Sequence, residues 1–317
     1  MKFILTNKEI FMTEKTLQGW VICEPNDPEL EPVKKAGLLP NVRWIRMQDI
    51  QIMLDGNHPD EIYVAGEWLP KPDFALAKPT EDGNVDAFMR LLQYLKTMGA
   101  YTFPKADAVI NTLDKLRTAN LLLQAGVQTP KTIVLTAHTP LDWLVEQLGL
   151  PLVVKVPDGE KGKGVCLIKT KEELKAVVEL GLSGDRMLLA QEFIATSKGR
   201  DVRVVLAEGE LVFALTRDNT RNGDFRSNVA QGGVDAVIEP TEQMLDMARR
   251  AQKAFGVDWC GVDLLYTSDG FTVGEVNSLP GFSENSIYQG ELVKLRYMRM
   301  LLQLITRKSI ENKQSKQ

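Results

Sequence analysis

Two strand-like runs, Gly261–Thr267 and Phe271–Asn277, stand on either side of Ser268-Asp269-Gly270. No other stretch of the chain limits the fold as tightly. A three-residue hairpin loop takes Gly at its last, left-handed position, and Gly270 is there. That register pairs Thr267 with Phe271, Leu265 with Val273, and Asp263 with Glu275. Side chains directly opposed across two strands have Cβ atoms about 4.5–5.5 Å apart, so the two carboxylates repel and need compensation. Asn277 lies two residues beyond Glu275, on the same face of the strand. Three oxygen-bearing side chains thus converge without a histidine. They form the ligand set of Mg²⁺ or Mn²⁺, hard ions that favour oxygen and keep positions open for phosphates. Two solvated charges on a sheet face are the plain alternative, and a slip in register removes the convergence.

Composition narrows the chemistry further. The chain has 317 residues, 44% hydrophobic and 25% charged, which suits an ordinary globular protein of two to three domains. Its net charge of −4 argues against a general DNA or RNA binder, whose phosphate contacts need a basic face. Cys23, Cys166 and Cys260 lie far apart with no C-x-x-C pair. They read as three small buried apolar residues in a reducing compartment. His58 and His138 are the only histidines. A His-rich zinc site is therefore excluded, a Cys–His nucleophile is disfavoured, and both histidines are expected at surface or turn positions. The first residues lack the apolar core of a signal peptide, and no apolar run reaches the length of a membrane span. The expected location is the cytoplasm.

Along the chain, strand and helix signals alternate. Lys2–Leu5 and Trp20–Cys23 read as strands. Pro25, Pro28 and Pro32 keep residues 24–42 from forming a long regular element. Asn84 to Gly99 is a helix, with Val85, Phe88, Leu92 and Leu95 on one face. A second helix is expected from Thr112 to Ala125, followed by a strand at Thr132–Leu135. Thr139-Pro140 opens another helix, with Pro at its first position and Gly149 at its end. Pro151–Val156 and Val165–Ile168 are strands. Thr170 with Glu173 forms a capping box for the next helix. Strands follow at Met187–Ile194, Val202–Ala207 and Leu211–Thr216, then a helix from Thr241 to Phe255 ended by Gly256.

Two further constellations point to phosphate. Lys155 follows Leu152, Val153 and Val154 inside an apolar strand, where a charge is unfavourable without a counter-ion. The loop after it, Asp158 to Gly164, holds three glycines with Lys161 and Lys163. Such a backbone can approach phosphates closely. Asp201 and Arg203 open one strand and Arg217 closes the next, which returns antiparallel, so all three fall at one end of that hairpin. A long irregular stretch follows, with Arg221, Asp224, Arg226, Ser227, Asn228, Gly232 and Gly233. An Arg-x-Asn pair in a glycine-flanked loop suits phosphate or carboxylate.

The order of these pieces resembles the ATP-grasp ligases, and within them the RimK-type glutamate ligases. The resemblance runs from about Asn111 to Gly281. It rests on Asp114-Lys-Leu-Arg117, Pro151-Leu-Val-Val-Lys155, Gln191-Glu-Phe-Ile194, Asp201-Val-Arg203, Gly223-Asp-Phe-Arg-Ser-Asn228, Gly261-Val-Asp263 and Glu275-Val-Asn277-Ser-Leu-Pro-Gly281. It implies an α/β (α+β) architecture: a small N-terminal α/β domain and two α+β subdomains clasping ATP. The corresponding boundaries are 1–105, 106–190, 191–307 and a polar tail at 308–317, expected to fray.

The resemblance also implies roles. Lys115 and Lys155 would hold ATP phosphates. Gln191, Glu192, Phe193 and Ile194 would form the hinge that meets adenine, and Asp201 would contact the ribose. Arg203 and Arg217, with Lys155, would stabilise the transferring phosphate or an acyl-phosphate. Arg226, Ser227 and Asn228 would close over the nucleotide, as would the glycine-rich loop. Asp263, Glu275 and Asn277 would hold two Mg²⁺ or Mn²⁺ ions. The implied reaction joins an amino acid, glutamate in the RimK branch, to the carboxylate of a protein, peptide or small acceptor, with no part for nucleic acid or membrane. A small-molecule ligase of the same branch and a nucleotide-binding regulator without turnover are the other readings. A homo-oligomer is the expected assembly.

Overall fold

The computed structural model describes residues 17–27, 30–35, 41–54, 56–79, 84–158, 164–183, 187–222, 225, 234–281 and 286–315. The expected strand Lys2–Leu5, most of the glycine-rich loop, and Arg226, Ser227 and Asn228 lie outside these residues. The chain divides into two compact units. One takes residues 1–109 and 295–317, the other residues 110–294.

The first unit opens with β1 (Gly19–Ile22), a five-residue helix α1 (Glu31–Lys35) and β2 (Val42–Ile45). The prolines thus leave room for one helical turn between these strands. Next come β3 (Ile50–Gln51), β4 (Glu61–Val64) and β5 (Glu67–Pro70), a small antiparallel sheet of their own. The chain then re-enters the main sheet with β6 (Phe74–Ala77), crosses it on α2 (Val85–Thr97) and adds β7 (Tyr101–Phe103). That main sheet is parallel, in the order β2-β1-β6-β7. Asn84 caps α2, its side-chain oxygen accepting from the Ala87 N–H at 3.1 Å. Phe88, Leu91, Leu92 and Leu95 are buried on its inner face. Leu91 takes the buried place expected for Val85, because α2 turns its apolar stripe a little further round. Gly19 sits against the Phe74 ring so closely that an added Cβ would fall 2.1 Å from it.

Helix α3 (Ala106–Leu113) spans the boundary between units. The expected helix from Thr112 to Ala125 is therefore two. Asp114 ends the run and caps a new helix, α4 (Lys115–Gln124), its carboxylate accepting from the Leu116 and Arg117 N–H groups. Within the second unit follow β8 (Thr132–Leu135), α5 (Leu141–Leu148), β9 (Leu152–Lys155), β10 (Val165–Ile168), α6 (Lys171–Leu182) and β11 (Leu188–Glu192). Pro140 is the N-cap of α5 and not its first helical residue. The Thr170–Glu173 capping box on α6 is fully formed. The strands make an antiparallel sheet in the order β10-β9-β11-β8. Leu144 and Leu174 from the helices join Leu152, Val154, Ile168 and Ala190 from the sheet in one buried cluster.

A second, five-stranded sheet is built from β12 (Arg200–Ala207), β13 (Glu210–Asp218), β14 (Val234–Ile238), β15 (Trp259–Tyr266) and β16 (Phe271–Asn277), in the order β14-β13-β12-β15-β16. Helix α7 (Glu242–Phe255) packs on β12, β15 and β16. Gly256 ends it in the left-handed conformation, φ +62°. A short hairpin, β17 (Ile287–Tyr288) and β18 (Glu291–Leu292), leads into α8 (Val293–Gln314). The expected frayed tail is helical to Gln314. Ser309 is buried and donates to the Ile305 carbonyl at 2.6 Å, and Asn312 donates to the Gly99 carbonyl at 2.7 Å. Among the described residues, no helix is long and apolar enough to cross a membrane.

The hairpin read first from the sequence reaches its result by a different path. Tyr266 pairs with Phe271, so the loop has four residues and not three, and Leu264 pairs with Val273. Thr267 and Leu265 are thus displaced from their expected partners. A bulge between Asp263 and Leu264 then restores the offset, and Asp263 faces Glu275 as expected. The extra residue on β16 is Gly274, whose absent Cβ would press on the Leu265 side chain at 3.0–3.1 Å.

Candidate active site

The acid end of the site is held by arginines. Register places Arg203 of β12 opposite Asp263 of β15, and Asp201 of β12 opposite Arg217 of β13. Arg203 grips Asp263 with a two-pronged contact, Nε to Oδ1 and Nη2 to Oδ2, both 2.8 Å. Arg217 grips Asp201 the same way, at 2.7 and 2.5 Å. Its Nη2 also lies 2.9 Å from Asp263 Oδ2. Asn277 Nδ2 donates to the same oxygen at 3.2 Å. Two-pronged pairs of this kind are the strong form of ion pairing. They supply the compensation that two facing carboxylates demand. Burial raises the Asp263 carboxyl, but Arg203 and Arg217 outweigh it and hold the group well below the usual carboxylate range. Glu275, half-buried, moves the other way: burial and then the Asp263 charge push its carboxyl up, against Lys115, Arg203 and Lys155. Gly261 lets the chain after β16 close on this corner, since a Cβ there would meet Pro280 at 2.5 Å.

The basic end is built differently. Lys155, at the end of β9, donates from Nζ to Gln191 Oε1 at 2.8 Å. Gln191 in turn donates from Nε2 to Thr132 Oγ1 at 2.8 Å. This relay holds the lysine with neutral groups. Burial, with Lys115 nearby, pushes the Lys155 ammonium down to about 8, partly opposed by Glu275. Lys115 opens α4, and its N–H bonds the Pro157 carbonyl at 3.0 Å, tying α4 to the loop after β9.

Of the residues expected in a nucleotide site, the structure brings together Lys115, Lys155, Gln191, Asp201, Arg203, Arg217, Asp263, Glu275 and Asn277 within the second unit. Glu192 turns away from them: its carboxylate accepts from the Lys131 N–H at 3.0 Å. Phe193 meets Phe225 edge-on, ring centres 6.3 Å apart, and Ile194 leads into a short turn. Cys23 and Cys260 are buried as expected, whereas Cys166 is exposed on the edge strand β10. Sequence reading missed Thr132 as the end of the Gln191 relay. Its only signal is a hydroxyl directly across from Gln191 on a neighbouring strand.

The donor chemistry fits a hard cation. Asp263, Glu275 and Asn277 offer only oxygen and amide groups, and the raised Glu275 is what a nearby cation would relieve. Among the described residues, no group of three or more His, Cys, Asp or Glu is arranged for a metal.

Two α+β layers joined around clustered Lys, Arg and carboxylates define an ATP-grasp ligase. Residues 112–300 match the RimK-like ATP-grasp domain, and the chain belongs to that family. A probable alpha-L-glutamate ligase of Enterobacter sp. (strain 638) is 36% identical over 223 residues, covering 69% of this chain and 73% of the relative. A ribosomal protein bS6–L-glutamate ligase of Salmonella paratyphi B is 36% identical over 193 residues, covering 60% of this chain and 63% of the relative. The chain thus spans somewhat less than two thirds of that second relative's length. The ATP-grasp ligase PsnB, solved with a phosphomimetic variant of its minimal precursor, Mg and ADP, shares the fold. Its TM-score is 0.65 at 16% identity, covering 91% of this chain and 99% of that one. Family and relatives together place the protein among ATP-dependent ligases.

Proposed function

We propose that the protein joins L-glutamate to a carboxylate of a protein or peptide at the expense of ATP. The carboxylate takes the γ-phosphoryl group of ATP to give an acyl-phosphate. The glutamate amine attacks the acyl carbon, and phosphate leaves as the amide forms. No nucleophilic side chain is required, in keeping with the poor supply of His and Cys. The carrying observation is the meeting of Lys155, Arg203, Arg217, Asp263, Glu275 and Asn277 in one site.

In this reading Lys115 and Lys155 bind the ATP phosphates, and the end of β11, from Gln191 to Ile194, meets the adenine. Asp201 orients Arg217, which with Arg203 faces the charge that develops on the transferring phosphoryl group. Arg226, Ser227 and Asn228, which lie outside the described residues, would complete the nucleotide site. Asp263, Glu275 and Asn277 would hold Mg²⁺ or Mn²⁺, which when bound neutralises phosphate charge. PsnB was solved with Mg and ADP, which supports Mg²⁺ here. The cytoplasm is the compartment this activity suits, and a homo-oligomer is the assembly we propose.

The test is mass spectrometry after incubation with ATP, Mg²⁺, glutamate and ribosomal-protein peptides. The expected product is a peptide heavier by glutamate residues, formed with equimolar ADP. Glu275→Ala should lower the rate at least ~100-fold, the scale of losing one electrostatic stabiliser, while the protein stays folded. A folded Glu275→Ala protein with near wild-type rate would overturn the metal assignment. ADP formation without any amide product would overturn the ligase reading.

A further inference from the structure

The first unit carries a pocket that the ligation site does not use. It lies beyond the carboxyl ends of β1 and β2, where Cys23 to Asp27, Leu30, Lys34, Trp44 and Arg46 enclose about 110 Å³. In open parallel sheets, ligands bind outside the carboxyl ends of the strands, where the strand order reverses. The order β2-β1-β6-β7 reverses between β1 and β6, so this pocket, between β1 and β2, shares the carboxyl-end location but lies one strand from the reversal. The seam there is fastened by the Lys78 N–H to the Ile22 carbonyl at 2.9 Å and by Lys78 Nζ to Asp27 at 2.9 and 3.1 Å.

The charges around the pocket sort into paired and unpaired. Asp27 holds Lys78 and also accepts from the Leu30 N–H. Arg46 is held by Asp49 in a two-pronged contact, both distances 2.7 Å. Glu31 lies 3.6 Å from Lys35. Lys34 and Glu24 have no ion-pair partner among the described residues. Lys34 Nζ instead rests 5.2 Å from the centre of the Trp44 ring. Both Lys34 and Glu24 line the pocket.

One unmatched cation, one unmatched anion and an aromatic wall suit a small zwitterion. We propose that this pocket binds a free α-amino acid, with Lys34 meeting its carboxylate, Glu24 its ammonium, and Trp44, Leu30 and Ile45 its carbon chain. The inference stands apart from the ligase reading.

Calorimetry of the full chain without ATP or Mg²⁺, titrated with each of the twenty L-amino acids, tests it. Saturable binding of at least one amino acid is expected. Lys34→Met and Glu24→Gln should each weaken it at least tenfold, and Lys34→Arg should preserve it. For glutamate, glutaric acid, which lacks the ammonium, should bind at least tenfold more weakly. No saturable binding to the wild-type protein overturns the proposal. So does unchanged binding in Lys34→Met and Glu24→Gln, which puts the amino acid elsewhere, and so does equal loss in Lys34→Arg and Lys34→Met. Amino-acid binding without amide formation would sink the ligase reading alone. Amide formation without binding at this pocket would sink the pocket alone.

Discussion

The two ends of the ligation site solve the same problem in opposite ways. At the acid end, Asp263 is surrounded by Arg203, Arg217 and Asn277, and its charge is matched inside the protein. At the basic end, Lys155 is hydrogen-bonded to the neutral Gln191, and burial with Lys115 outweighs the help of the Glu275 charge. One end is satisfied before any ligand arrives; the other is left wanting an anion. The contrast teaches where binding energy goes. A phosphate reaching Lys155 gains an unmatched buried cation. A cation reaching Asp263 has to displace guanidinium groups already there.

The largest effect that separates the two ends is on folding. Arg217→Met removes the two-pronged contact to Asp201, which is 4% exposed, and one of the two guanidinium groups on Asp263. Breaking a buried pair this way destabilises by about 3–5 kcal/mol. Lys155→Met removes an unmatched charge and should leave the nucleotide-free protein as stable or more so. Urea unfolding of both variants checks this, and equal losses would erase the distinction drawn above.

The next effect is a pH dependence confined to the basic end. Lys155 is pushed down to about 8 by burial, against an unfolded value of about 10.4. Between these values the folded protein binds fewer protons than the unfolded chain. Stability of the nucleotide-free protein should therefore rise with pH across that window. The rise due to this one group is on the order of 3 kcal/mol. Lys155→Met should remove it, and the comparison of unfolding midpoints at the two ends of the window decides. Identical slopes for variant and wild type would mean the lysine is better solvated than its place suggests.

The smallest effect sharpens how Lys155 is aimed. Thr132→Val deprives Gln191 of its acceptor and should destabilise by about 1 kcal/mol. On our reading of Lys155, the KM for ATP should rise by a similar free energy, about fivefold, with kcat little changed. A fall in kcat at constant KM would show that the relay serves the chemistry and not ATP binding.

Much of this was legible in the sequence because local rules agree with the fold. Thr170 with Glu173, Thr241 with Gly256 and the apolar run before Lys155 each specify their elements without help from distant residues. The Asp263–Glu275 pairing was legible too, though through two departures that offset each other: a longer loop and a bulge at Gly274. What stayed hidden depends on contacts between segments far apart in sequence. That Arg203 would close on Asp263 requires β12 to lie beside β15, across an intervening hairpin and helix. The break at Asp114 was hidden for another reason, since apolar periodicity continues through it and only the cap geometry ends α3. The polar composition after Arg307 suggested fraying because it does not disclose that Asn312 and Lys313 meet Gly99 and Asp73.

That last helix bears on how the protein is made. The first unit is assembled from both ends of the sequence, with the second unit inserted between them. On a ribosome, residues 110–294 are made as one unbroken stretch, whereas the first unit needs residues from both ends of the sequence. Domains fold as units during synthesis, so the inserted ligation site is free to fold while the unit encoded ahead of it waits for its final helix. Vectorial synthesis thereby makes the unit whose residues come first the one completed last.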